Sequence, residues 1–247
     1  MLFFGFHISK IVFWTSKSPT NVTALIELHF LPSLEYFCAL QKFDQLILEK
    51  HEHYFKQSYR NRCYISTSNG IAMLTVPLTE KHGKVFVKDV RIDYSTKWQN
   101  NQWRTLQSAY KNAPFFEHYE EPLHQHLYKN HSFLFDLNLA LLSFCLTSLK
   151  SDMKVSESVA YAKTPEQNVN DLRSVIQAKK AYSTRPFYKP TAYHQVFGNM
   201  FVPNLSLIDL LFCEGPNAGR LIRASQATDW TNKNKLLFKV EVLYSNA

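Results

Sequence analysis

Two short apolar segments flank a helical one near the start of the chain: Thr23–Phe30 (TALIELHF), Ser33–Phe43 and Gln45–Glu49 (QLILE). Strand, helix, strand within about 27 residues is the length of a parallel crossover unit, since parallel strands need a connection of a dozen or more residues. Pro32 ends the first strand, and Leu34, Phe37 and Leu40 repeat at helical spacing. The ligand side of such a unit lies beyond the C-terminal ends of its strands. His29 falls at the first of those ends and Glu49 to His53 at the second.

The rest of the chain fills in around this unit. Arg62–Ile65, the turn Ser68-Asn69-Gly70 and Ile71–Leu78 read as a hairpin. Val85–Ile92 reads as a further strand after a polar turn around His82-Gly83. Ser95 is placed to cap a helix running to Asn112 and ending before Pro114. His118 to Leu149 reads as helical, and Phe133–Leu149 is apolar all round, the pattern of a central buried helix. Ser151–Ala181 is polar without sustained period and reads as a loop carrying a short helix. Pro186 and Pro190 bound an extended piece. Pro203-Asn204-Leu205-Ser206 opens a last helix through Cys213, closed by Gly215-Pro216. Lys235–Tyr244 alternates apolar and charged residues as a half-buried strand does. The expected fold is α/β, with α+β as its variant: an N-terminal strand–helix–strand unit in a mixed sheet with a hairpin, packed on a mainly helical C-terminal half.

Composition closes several alternatives. Aromatic residues at 15% and charged residues at 19% are far from a disordered composition. No eighteen consecutive apolar residues occur, so no transmembrane helix is expected. Met1 to Trp14 is apolar, but His7 and Lys10 break it, the start is not basic and no small-residue cleavage site follows, so it is not read as a signal peptide. The expectation is a cytoplasmic chain. Residues 1–23 are read as a poorly ordered, mis-started leader, 24–222 as one domain and 223–247 as an extension. Cys38, Cys63, Cys145 and Cys213 lie far apart and read as buried reduced thiols rather than zinc ligands.

The densest cluster of reactive side chains is Lys50 to Arg62. In extended geometry His51 and His53 face one way, as do Arg60 and Arg62. Two guanidiniums suit capture of phosphate or carboxylate, and an adjacent imidazole suits general base work near neutral pH. A solvated loop with ion pairs accounts for the same residues, and His-x-His lacks a third metal ligand. His118, His124, His126 and His131 read as surface histidines. Asp209 follows Ser206 by three residues, which is a capping box, although helix N-termini also hold anions and Asn204 and Ser206 then line a pocket. Trp98 and Trp103, beside Gln99-Asn100-Asn101-Gln102, suit either core packing or stacking on a sugar or base. Phosphate-loop, dinucleotide, nucleophile-elbow and zinc-protease motifs are absent, and six glycines leave little for a phosphate cradle, so no cofactor or metal is expected. A net charge of +8 spread along the chain favours anionic partners without selecting nucleic acid.

Several stretches together carry a family resemblance. They are Pro32-Ser-Leu-Glu-Tyr-Phe37, Asp44-Gln-Leu-Ile-Leu-Glu49, Tyr59-Arg-Asn-Arg62 with Thr75-Val-Pro77, and Trp98 to Trp103 with Ser108 to Phe116. Phe135-Asp-Leu-Asn138, Tyr193-His-Gln-Val-Phe197 and Pro203 to Phe212 with Gly215-Pro216 complete the order. The chain resembles the WbqC-like protein family, in the form found in Bacteroidetes-type bacteria, over roughly residues 24–222. It departs at the first motif, with Ile26-Glu27-Leu28 where many relatives have His-Gln-Pro. The resemblance implies a role in O-antigen-type surface polysaccharide biosynthesis. That role, together with the basic, His-bearing segment beyond a strand end, leads to the expectation of an enzyme, as a transferase, acting on a phosphorylated or nucleotide-linked sugar, with Arg60 and Arg62 on phosphate and Asn61 orienting substrate. His51 or His53 moves a proton, Trp98 stacks on a ring, and Asn204 and Asp209 complete the site. Replacing both arginines is then expected to abolish binding at nearly unchanged stability. The rival readings are a non-catalytic interaction protein of the same pathway and, last, a nucleic-acid binder.

Overall fold

A computed structural model describes residues 22–79 and 84–227 of the chain. Strand β1 (Thr23–Glu27) is buried along its whole length. It leads through helix α1 (Leu34–Leu40) to β2 (Gln45–Glu49), which pairs with it in parallel from Thr23↔Gln45 to Glu27↔Glu49. The crossover unit is therefore present. Helix α1 is shorter than the apolar spacing predicts, and its start is closed from outside: Leu205 O accepts the Leu34 N–H (3.0 Å) and Asn204 Oδ1 accepts the Glu35 N–H (2.9 Å). Every residue of α1 is buried, which excludes the polar stripe that a surface helix keeps.

Strands β3 (Arg62–Thr67) and β4 (Gly70–Thr75) form the expected antiparallel hairpin, with Gly70 at φ +99°. That left-handed backbone is why glycine stands there. Val85–Ile92 is not a strand. It makes single bridges to different neighbours (His53↔Phe86, Arg91↔Phe133, Leu78↔Ile92) around one 3₁₀ turn at Val87–Asp89. No single partner runs beside it long enough to build a ladder.

Helices α2 (Trp98–Tyr110), α3 (Phe116–Tyr128) and α4 (Leu134–Ser148) follow. Ser95 does not cap α2; its own N–H is taken by Asp93 Oδ1 (2.8 Å), and the helix starts three residues later. The helical stretch from His118 to Leu149 is split into α3 and α4, and α4 is the central apolar helix expected there. The polar Ser151–Ala181 segment supplies two strands rather than a short helix: β5 (Lys154–Glu157) and β6 (Val169–Asp171). Both are short sheet-edge strands with little buried side-chain surface, so they carry no hydrophobic pattern to read. Helix α5 (Leu207–Glu214) ends at Gly215, where a Cβ would lie 2.5 Å from the Phe115 ring, and α6 (Ala218–Ala224) follows.

The result is α/β: a parallel four-stranded sheet in the order β5-β2-β1-β6, the hairpin, and a mostly helical C-terminal half. The chain leaves β1 for β2 and β5 on one side, then returns to β6 on the other. Strand order thus reverses between β1 and β6, and open parallel sheets hold ligands outside the carboxyl ends at such a point. All four cysteines are free and buried. Among the described residues no helix is long and apolar enough to cross a membrane. The expectations for residues 1–21, the turn at His82-Gly83 and the strand Lys235–Tyr244 lie outside the described residues.

Candidate functional site

Each strand of the parallel sheet ends in an acidic residue: Glu27, Glu49, Glu157 and Asp171. Glu27 and Glu49 are each 1% exposed, and burying a carboxylate is costly without partners. Both have them. Glu27 Oε2 accepts the Ser174 N–H (2.8 Å), its Oε1 faces His29 Nε2 (3.4 Å), and an Arg60 Nη lies at 3.8 Å. Glu49 accepts from the His51 N–H (2.8 Å), the Ser158 hydroxyl (2.8 Å) and Arg173 (2.9 Å). Arg173 also grips both carboxylate oxygens of Asp171 and lies over the Tyr161 ring (4.8 Å). It ties the end of β2 to the end of β6, across β1.

Arg60 is held in the same way. Its Nε (2.9 Å) and Nη2 (2.5 Å) both donate to Glu52 Oε1, so two buried carboxylates share one guanidinium. Burial pushes the Glu52 carboxyl up to about 7 against the pull of Arg60. For Glu27 burial acts in the same direction, but His29, Arg60 and the Ser174 amide outweigh it and hold the carboxyl below its ordinary value. Burial keeps the His29 imidazole below its ordinary value and neutral near pH 7.

A crevice of about 170 Å³ opens where β1 and β6 end. Glu27, Ser58, Arg60 and Ser174 line it, together with Lys56 and Lys179. An ionised carboxylate, hydroxyls and ammonium groups within one small cavity suit a ligand bearing both hydroxyls and negative charge. The WbqC-like protein family matches residues 28–191, two thirds of the chain and nearly all of this wall. The chain belongs to the WbqC-like protein family. Uncharacterized protein Rv1507c of Mycobacterium tuberculosis (strain ATCC 25618 / H37Rv) is 26% identical to it over 227 residues, covering 81% of this chain and 96% of that one. No solved structure matches it.

In this WbqC-like protein the residues singled out from sequence are dispersed. Arg60 lines the crevice, yet its guanidinium is engaged by Glu52 and Glu27 rather than open to a phosphate. Arg62 opens β3, does not line the crevice, and has a buried Nε with no hydrogen-bond partner among the described residues. Asn61 is buried and donates to Val76 O (2.9 Å), fastening the hairpin. The His51 ring meets the Ser158 hydroxyl (3.2 Å), and His53 is exposed and stacks on Phe86 (4.8 Å). Trp98 is 5% exposed and packs by Tyr94, which leaves no face for a ligand ring.

Asn204, at φ +58°, serves α1 as described and also donates to Glu35 Oε2 (3.3 Å), a carboxylate clamped by Arg185. The capping box at Ser206 and Asp209 does not form. The Ser206 hydroxyl donates to Leu31 O (2.8 Å), while Asp209 accepts from the Tyr110 and Tyr193 hydroxyls (2.6 Å each) and Gln195 (3.2 Å). Asp209 is fully buried, and burial raises its carboxyl above the ordinary value despite these donors.

Sequence reasoning gave no site role to Glu27, Glu52, Arg173 or Ser174. Glu27 carried a signal: a single carboxylate inside the otherwise apolar TALIELHF run needs a buried partner. Arg173 and Ser174 carried none, because β6 is too short to announce itself.

Proposed function

We propose that this WbqC-like protein is an enzyme that binds a small anionic, hydroxyl-bearing substrate in the crevice between β1 and β6. The substrate class we assign is a phosphorylated or nucleotide-linked sugar of surface polysaccharide assembly in the cytoplasm, and the reaction class is group transfer. The observation that carries this reading is the Glu27 carboxylate, buried, ionised and lining a cavity at the reversal of strand order.

Glu27 accepts from a substrate hydroxyl and orients it. Lys179 meets the anionic group. Arg60 is a positioning residue that holds Glu27 and Glu52 apart, and Glu52 sets the charge of the trio near neutral pH. A dinucleotide bound as in nucleotide-binding α/β sheets does not fit. The loop from β1 to α1 has no glycine, and the first N–H groups of α1 are already taken by Asn204 and Leu205.

A second reading, a non-catalytic interaction protein of the same pathway, draws on Ile71 and Met73, which are 59% and 50% exposed on one face of β4. Calorimetric titration with a hexose 1-phosphate, a uridine diphosphate hexose and inorganic phosphate separates the two. The enzyme reading expects a sugar ligand to bind at the crevice, and Lys179→Ala to weaken that binding at least tenfold. Absence of binding by either sugar ligand overturns it.

A further inference from the structure

A second cavity, of about 680 Å³, lies between the segment entering α2 and the turn joining α3 to α4, and shares no residue with the crevice. Its walls are pinned by backbone and side-chain bonds: the Thr79 N–H to Arg91 O (3.1 Å), the Ile92 N–H to Ser132 O (3.1 Å) and the Tyr94 hydroxyl to His131 O (2.9 Å). A volume in the few-hundred Å³ range is that of small-molecule sites.

The lining chemistry is specific. Gln99, Asn100 and Asn130 all line the cavity, and each has half of its amide occupied. Gln99 Nε2 donates to Leu127 O (2.7 Å) and Asn130 Oδ1 (3.4 Å), and Asn100 Oδ1 accepts from the Tyr128 hydroxyl (2.8 Å). That leaves Gln99 Oε1 as an acceptor and the Asn100 and Asn130 NH₂ groups as donors without partners among the described residues. His131 Nε2 is buried and also lacks a partner there. Arg91 and Lys97 line the cavity, and among the described residues no carboxylate does. Arg91 is held over the Phe133 ring (4.9 Å), and Tyr94 keeps 38% of its surface exposed.

We propose that this cavity binds an acidic saccharide, a sugar carrying a carboxylate or phosphate. Planar amides with spare donors and an acceptor pair with adjacent ring hydroxyls, an exposed aromatic ring packs on an apolar sugar face, and the two cations meet the negative group. The sequence pointed to ring stacking beside Gln99–Gln102 through Trp98; the structure buries Trp98 and presents Tyr94 instead. A peptide or protein surface is disfavoured because, among the described residues, Ile92 is the only aliphatic side chain in the lining.

The full chain is titrated by calorimetry with a glucuronic acid disaccharide, glucose 6-phosphate, glucose and inorganic phosphate. Each titration is repeated on Lys179→Ala to remove the crevice contribution. The expected result is binding of at least one acidic sugar, with glucose and phosphate at least tenfold weaker. Lys97→Ala with Asn130→Ala, both exposed positions, then costs at least tenfold in affinity at unchanged melting temperature. Which acidic sugar binds distinguishes carboxylate from phosphate. The proposal is overturned if neither acidic sugar binds, if phosphate alone binds as tightly, or if the double variant binds like the parent. Because Lys179→Ala is silent for this cavity, failure here leaves the crevice reading standing, and the converse.

Discussion

The Ser174 N–H, in the turn after β6, donates to Oε2 of Glu27 at the end of β1 over 2.8 Å. This bond joins the two strands at the one place where the sheet reverses its order, and it fixes a carboxylate at the mouth of the crevice formed there. Ser174 reaches it with φ +57°, a backbone conformation that non-glycine residues adopt only where the surroundings impose it.

Arg60→Ala is expected to destabilise the protein by about 3–5 kcal/mol, because it leaves the Glu27 and Glu52 carboxylates buried without their shared cation. The sequence alone predicted near-unchanged stability for removal of Arg60 and Arg62; the burial of Arg60 reverses that expectation. Urea unfolding of the single variants measures it, and a loss under about 1 kcal/mol for Arg60→Ala contradicts the shared-pair account.

The crossover unit was legible in sequence because its strands are short apolar runs bounded by Pro32 and polar residues, with Leu34, Phe37 and Leu40 at helical spacing between them. Strands β5 and β6 were not, since a strand at a sheet edge takes its stability from backbone pairing and leaves no alternation behind. Missing β6 hid the reversal point, and with it Ser174, Arg173 and the crevice. The Lys50–Arg62 cluster drew notice to the correct end of the sheet. Its charge pattern alone did not show that Arg60 turns inward to Glu52 while His53 turns outward to Phe86.

Asn204→Ala is expected to cost about 1–2 kcal/mol, through loss of the bond to the Glu35 N–H and strain at φ +58°. Asn204→Gly keeps the backbone unstrained and is expected to cost less. Thermal unfolding of the two variants decides; a glycine variant weaker than the alanine one contradicts the capping account.

Tyr193→Phe removes one of two hydroxyls that solvate the buried Asp209 and is expected to cost about 1.5–3 kcal/mol. Ligand binding at the crevice is expected to stay unchanged, since Asp209 and Tyr193 do not line it. Loss of binding with intact stability would place Asp209 back among the substrate contacts.

Stability should also depend on pH through Glu52. Its folded value of about 7 lies above the unfolded 4.5, so its contribution is full below about pH 4.5 and is lost as pH rises through 7. Relative to Glu52→Gln, the wild-type protein is expected to lose about 3 kcal/mol across that window, taking about 1.4 kcal/mol per unit. The comparison cancels the opposing slope of His29, whose value is lowered. Denaturant titrations of both proteins from pH 4.5 to 8 give the difference, and wild-type stability that holds or rises relative to Glu52→Gln across this range contradicts the assignment.

Site-resolved amide hydrogen exchange, with and without a saturating hexose 1-phosphate, bears most directly on where the substrate sits. The account predicts slowed exchange at residues 56–60 and 174–179, with the Ser174 amide among the protected ones, whether or not the second cavity is also protected. Protection elsewhere, with both segments unchanged while the ligand is bound, would contradict it.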